Sequence, residues 1–156
     1  MELKIKQIIP DVTLPSYAHE GDAGLDLRAS GTWIINLDTV HEEVTTDTLT
    51  LHPGERVIAK TGIALELPKG TWGNIRDRSG LGRQGIHVLG GVVDENYRGE
   101  IQVVLVNLGK KPYDLTKNER IAQLIIAPYI ALTIKKVKEL TETKRATGGF
   151  GHTGKY

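Results

Sequence analysis

The chain has 156 residues, 39% of them hydrophobic and 25% charged, which suits one domain with a real core and excludes a disordered chain. Net charge is +1 with acids and bases interspersed, so no electrostatic footprint for duplex nucleic acid is present. There is no cysteine, which excludes disulfides, thiol catalysis and cysteine-ligated zinc together.

The opening Met-Glu-Leu-Lys-Ile-Lys places charges where a signal peptide needs an apolar run. The longest apolar stretch, Ile121 to Leu132, is too short to span a bilayer and is broken by Pro128. The expectation is a soluble, cytoplasmic protein with no membrane partner.

Glu2 to Ile9 alternates polar and apolar residues, the period of a half-buried strand, and Pro10 and Pro15 end it. Gly21 to Ala29 is a turn running into a short strand; if Asp22 and Asp26 both lie on that strand, they share a face. Two β-rich runs follow, Trp33 to Leu37 and Val44 to Leu51, then a Pro53-Gly54 turn and a strand pair over Arg56 to Leu67. Pro68-Lys69-Gly70 turns the chain into a strand from Thr71 to Arg76, and Arg78 to Gly85 has room for a single helical turn. Ile86 to Val93 and Glu100 to Leu108 flank a hairpin, and Arg120 to Ala127 and Ala131 to Val137 add more strand. No stretch sustains a helical apolar period, so the pattern predicts an all-β sandwich, jelly roll or barrel over residues 1–140. Residues 141–156 read as a tail; from Thr143 on it is polar and glycine-rich, with Phe150 its only large apolar residue besides terminal Tyr156. Such a segment cannot bury enough surface to order itself.

The stretch from Gly90 to Gly99 organises the chain. Asp94 and Tyr97 stand three residues apart, framed by turn glycines that let a backbone approach a ligand closely. The plain alternative is a hairpin whose Asp caps a turn and whose Tyr covers an edge.

Two other glycine patterns fail as motifs, though both are loops able to present backbone N–H groups to an anion. Gly80 to Gly85 fits the dinucleotide fingerprint, but no helix of useful length follows it. Gly149 to Lys155 nearly spells a phosphate-binding P-loop, yet Tyr156 stands where Ser or Thr must ligate magnesium. No nucleophile elbow or His-Glu-x-x-His is present, and the five histidines lack metal-ligand spacing. What remains is a set of loops able to meet phosphate, one carboxylate able to carry magnesium, and one able to orient water.

Five segments in order resemble the motifs of the trimeric deoxyuridine triphosphatase family. They are Asp22 to Ala29, Arg78 to Gly82, Gly91 to Gly99, Asn118 to Leu124, and Arg145 to Gly154. The resemblance implies a distorted jelly roll, a homotrimer with active sites between subunits, and hydrolysis of dUTP to dUMP and pyrophosphate with Mg2+ on the triphosphate. It implies that Asp94 orients and activates the attacking water. Asp26 would hold the metal, usually through coordinated water, which suits an ion that dehydrates reluctantly. Arg78, Ser79, Gly80 and Gln123 would bind phosphate. Gly91, Val92 and Val93 would read uracil with their backbone, and Tyr97 would stack beneath the deoxyribose and exclude a 2′-hydroxyl. The tail would close over the nucleotide through Arg145 on the γ-phosphate, Phe150 on uracil, and Gly151.

Three departures from the family pattern stand out. His152 occupies a position that is often Ser, Ala146 replaces a usual Gly, and the segment from Trp33 to Thr50 is longer than the usual connection. That segment is expected to be a hairpin extension whose removal leaves the fold intact. Two rivals stay open: a dCTP deaminase on the same fold, whose catalytic Glu aligns with Val104 here, and a non-enzymatic module that senses dUTP.

Overall fold

The computed structural model describes residues 1–143 and Ala146, and it is built almost wholly from antiparallel strands. Alternation of apolar side chains decides them. β1 (Lys4–Gln7), β2 (Leu25–Arg28), β3 (Thr32–Ile35), β4 (Glu42–Thr45) and β5 (Thr48–Leu51) are short. β6 (Arg56–Glu66) is the spine of a six-stranded sheet. β7 (Thr71–Arg76), the helical turn α1 (Ser79–Gly82), β8 (Ile86–Leu89) and β9 (Val92–Val93) lead to β10 (Glu100–Asn107), β11 (Tyr113–Thr116) and β12 (Arg120–Pro128). No helix among the described residues is long and apolar enough to cross a membrane.

The six-stranded sheet runs β4-β3-β6-β10-β8, and β1 pairs with the far half of β6. A second sheet runs β2-β12-β7-β9, and β5 pairs with β11. In the second sheet, β2 buries Leu25 and Leu27, which turns Asp26 and Arg28 to the opposite face. The register then sets Gln123 of β12 between Asp26 on one side and Arg76 on the other. All three sheets contribute to one core, in which Leu27, Trp33, Val57, Leu105, Leu115 and Leu124 are fully buried. Each such side chain contributes roughly 1.5–3 kcal/mol. The distorted jelly roll expected from the sequence is the fold that forms.

Four expectations need correction. Arg56–Glu66 is one strand, not a pair: Gly62, at φ 73°, makes a bulge opposite Ile101 instead of a turn. Ala131 to Val137 forms no strand, and Ile134 stands 96% exposed. Asp22 lies in the turn before β2, not on the strand.

The fourth concerns Trp33 to Thr50. β3 and β4 do form a hairpin, but β3 also pairs with β6 through Trp33↔Ala59 and Ile34↔Ile58. Trp33 is fully buried and its indole N–H donates to the Thr46 carbonyl at 3.1 Å. β5 pairs along its whole length with β11. Most of the segment is therefore integral to the fold.

Candidate active site

β8 delivers the chain to Gly90 and Gly91, at φ 74° and 105°. The Gly91 carbonyl accepts the Ile75 N–H at 2.8 Å, and a Cβ on Gly91 would lie 2.5 Å from the Ile75 oxygen. Only glycine lets the hairpin lie this close to β7. Beyond β9, the Tyr97 N–H donates to the Asp94 carbonyl at 3.1 Å, so the two residues share one turn. The Tyr97 hydroxyl donates to the Glu100 carbonyl at 3.1 Å across Gly99. Gly91, Val92, Val93, Asp94 and Tyr97 thereby line one pocket of about 380 Å³, together with Glu100 and Val104. Val92 is 69% exposed and Tyr97 46% exposed, so both present apolar surface outward.

Glu100 anchors the returning leg of the hairpin. One carboxylate oxygen accepts the Gly62 N–H at 2.8 Å and the other pairs with Lys60 at 3.3 Å. Lys60 also pairs with Glu43 of β4 at 3.1 Å. The Glu43 hydrogen bond is the largest of the influences that hold the Lys60 pKa above its ordinary value; burial opposes it, and Glu100 adds to it.

A second cluster forms where β7 runs into α1. The Arg78 guanidinium donates through Nε to Asp26 Oδ1 at 2.9 Å and through Nη1 to the Arg120 carbonyl at 3.1 Å. Arg120 Nη1 donates to Asp26 Oδ2 at 3.2 Å. The Asp26 carboxylate is thus clamped by two guanidinium groups and is only 12% exposed. Gln123 donates through Nε2 to the Asp77 carbonyl at 2.7 Å, and its amide oxygen lies against Gly24, where any Cβ would collide with it. A Cβ added at Gly80 would meet nothing within 4 Å, so the backbone there faces open space. Asp22, Gly24, Asp26, Arg78, Ser79, Gly80 and Gln123 line a recess of about 240 Å³. Asp22 and Asp26 face the same recess although Asp22 is off the strand.

The structure thus gathers the expected residues into two groups. Asp94, Tyr97, Gly91, Val92 and Val93 surround the hairpin pocket; Asp26, Arg78, Ser79, Gly80 and Gln123 surround the recess. The two lining sets have no residue in common. Arg145, Phe150 and Gly151 lie outside the described residues. Ala146, where the family pattern has Gly, is held at φ 46°, a left-handed conformation that glycine adopts without strain. Sequence reasoning gave no role to Arg120 or Asp77, although Arg120 lies within the segment Asn118 to Leu124 and Asp77 directly precedes Arg78.

At this recess two guanidinium groups, Arg78 and Arg120, meet two carboxylates, Asp22 and Asp26. Among the described residues, no group of three or more His, Asp or Glu side chains could enclose a metal. Each Asp26 oxygen takes one guanidinium N–H, which leaves acceptor capacity for a water. That donor set fits a magnesium ion arriving on a polyphosphate and touching Asp26 through water, not a cage of protein ligands.

The chain is thus an antiparallel jelly roll that carries a glycine-framed hairpin pocket and, apart from it, an arginine-clamped carboxylate. The sequence model of the dUTPase family matches residues 43–154. The chain is 45% identical over 157 residues to a deoxyuridine 5′-triphosphate nucleotidohydrolase of Clostridium kluyveri, covering 99% of each chain. It is 42% identical over 156 residues to the protein of that name from Clostridium tetani, covering 98% of this chain and 97% of the relative. A dUTPase of Staphylococcus bacteriophage 80alpha, solved as a G164S mutant with dUpNHpp, superposes with a TM-score of 0.82 at 24% identity over 98% of both chains. The chain belongs to the dUTPase family, the family of the dUTP diphosphatases.

Proposed function

We propose that the protein hydrolyses dUTP to dUMP and pyrophosphate with magnesium on the triphosphate, at sites shared between the subunits of a homotrimer. The observation that carries this is the hairpin pocket, where Asp94 and Tyr97 share one turn beside the backbone of Gly91 to Val93.

In this reading uracil meets the hairpin backbone, and a close fit rejects the methyl of thymine and the donor pattern of cytosine. Tyr97, fixed by its bond to the Glu100 carbonyl, lies under the deoxyribose where a 2′-hydroxyl would need space. Asp94 accepts a proton from the attacking water as the water oxygen bonds to the α-phosphorus and the bond to the bridging oxygen of pyrophosphate breaks. Arg78, Ser79, Gly80 and Gln123 orient the phosphates, and Asp26 receives the metal's water shell. Magnesium, when bound, supplies charge to the phosphate oxygens as negative charge grows there. Arg145, Phe150 and Gly151 complete the site from the tail.

One feature supports sharing between subunits. Beyond β12, Ile130, Leu132, Ile134 and Leu140 stand exposed at 85, 81, 96 and 86%, an apolar segment that a neighbouring subunit would cover. The enzyme would act in the cytoplasm on a free nucleotide, with neither nucleic acid nor membrane as partner.

The test is incubation with magnesium and each deoxynucleoside triphosphate in turn, with separate assays for pyrophosphate and ammonia. Pyrophosphate from dUTP alone is the expected result. Ammonia from dCTP would point to a deaminase, and binding without either product to a sensing module.

A further inference from the structure

We propose that Asp77 is a positioning residue that sets the phosphate-binding loop against the strand leading to the base pocket; the proposal rests on the function argued above. Asp77 stands between the end of β7 and Arg78, and it joins elements from both large sheets. Its Oδ1 accepts the Val88 N–H at 2.7 Å, and its Oδ2 lies 2.7 Å from His87 Nδ1. Its backbone carbonyl accepts the Gln123 amide at 2.7 Å.

Each partner matters for a different reason. β8 is the edge strand of its sheet, bonded on one side to β10. The Val88 N–H points off that edge, where an unpaired donor is costly and open to false pairing. A carboxylate is the strongest acceptor a side chain can offer it. Four residues past His87 the chain reaches Gly91 and the base pocket. Gln123, held by the Asp77 carbonyl, is one of the proposed phosphate-binding residues, and Arg78, Ser79 and Gly80 follow Asp77 directly. One residue therefore fixes the spacing between the loop that would grip phosphate and the strand that presents the base pocket. Nothing in the chemistry of hydrolysis requires Asp77 to touch the nucleotide, so its effect comes through Arg78, Gln123 and β8.

A residue of this kind has a signature that a purely structural one lacks. Removing the carboxylate should misplace the phosphate loop while leaving the hairpin's own bonds, Ile75 to Gly91 and Tyr97 to Glu100, in place. The experiment measures binding of two probes to the full-length protein by NMR titration: 2′-deoxyuridine, which has no phosphate, and magnesium-loaded dUpNHpp. Asp77→Ala is expected to weaken dUpNHpp at least tenfold and to leave deoxyuridine within about twofold. Asp77→Asn keeps an acceptor for Val88 and should fall between wild type and Asp77→Ala; it also serves if the alanine variant fails to fold. Slowed amide exchange at Val88 should be lost in Asp77→Ala and kept in His87→Ala. Equal weakening of both probes, or of neither, overturns the proposal while leaving the function intact. Wild-type protein that binds no dUpNHpp overturns the functional reading and this proposal with it.

Discussion

The Tyr129 hydroxyl donates to Glu95 Oε2 at 2.9 Å, and the same oxygen accepts the Gly70 N–H at 2.7 Å. Tyr129 is the first residue beyond β12, and Glu95 directly follows Asp94, so the root of the C-terminal segment is tied to the hairpin. The Gly70 bond, then the Tyr129 bond, hold the Glu95 pKa below its ordinary value; the Glu95 bond holds that of Tyr129 above. Since folding lowers the Glu95 pKa, the tie is fully present above the ordinary glutamate value of about 4.3 and fades as pH falls through the lower folded value. Hydrogen exchange corrected for intrinsic rates should show the Gly70 amide protected at neutral pH and losing protection only as pH falls below the ordinary glutamate range. Glu95→Ala should remove that protection at every pH. Unchanged protection in the variant would refute the tie.

Gly99 makes room for the ring of Tyr97: a Cβ there would lie 2.6 Å from Tyr97 Cζ and closer still to the hydroxyl. Gly99→Ala should therefore displace the ring without removing it and raise UTP hydrolysis relative to dUTP, as Tyr97→Ala should. Steady-state kinetics on both nucleotides test this. A dUTP/UTP ratio that stays fixed while dUTP activity collapses would leave Tyr97 a structural role only.

The burial of Trp33 makes the segment from Trp33 to Thr50 indispensable. Trp33→Ala should cost about 3–5 kcal/mol in urea denaturation, the range for emptying a large buried site. Deleting the whole segment should abolish folding, whereas shortening the loop between β3 and β4 should not. A deletion of residues 33–50 that still unfolds cooperatively at wild-type urea concentration would show the pairing of β3 with β6 to be dispensable.

Arg120 completes the clamp on Asp26. With Arg120→Leu the carboxylate keeps only the Arg78 bond, which frees it to rotate away from the recess. A charge-assisted bond contributes about 1.5–3 kcal/mol, and partial exposure of Arg120 reduces this, so kcat/KM for dUTP should fall about tenfold. Arg120→Lys keeps the charge but not the fork and should recover part of the loss. Wild-type kinetics in Arg120→Leu would remove the clamp from the account.

Local features of this chain were legible in its sequence because their causes are local. Gly90 and Gly91 announced a turn, and the turn is there; Gly21 to Ala29 read as a turn running into a short strand, and β2 begins at Leu25. The larger misreadings involve distant partners. Ala131 to Val137 alternates well enough for a strand, but alternation forms no strand without a partner, and the segment pairs with no strand among the described residues. Trp33 looked detachable because nothing nearby in sequence shows that β6 lies beside it. Asp77 and Arg120 escaped notice for the same reason: their partners, His87, Val88 and Asp26, become neighbours only when the sheets assemble. Five ordered motifs pointed to the residues of the pocket and the recess, while the bonds that fix them required the fold.

The central claim is that Asp94 activates the water that attacks dUTP, and Asp94→Asn tests it most directly. Asparagine keeps the size and the turn with Tyr97 but cannot take up the proton. Pyrophosphate release from magnesium-dUTP should become undetectable while the affinity for dUpNHpp stays within about tenfold of wild type. Near-normal turnover in Asp94→Asn would contradict the account and remove Asp94 from the mechanism.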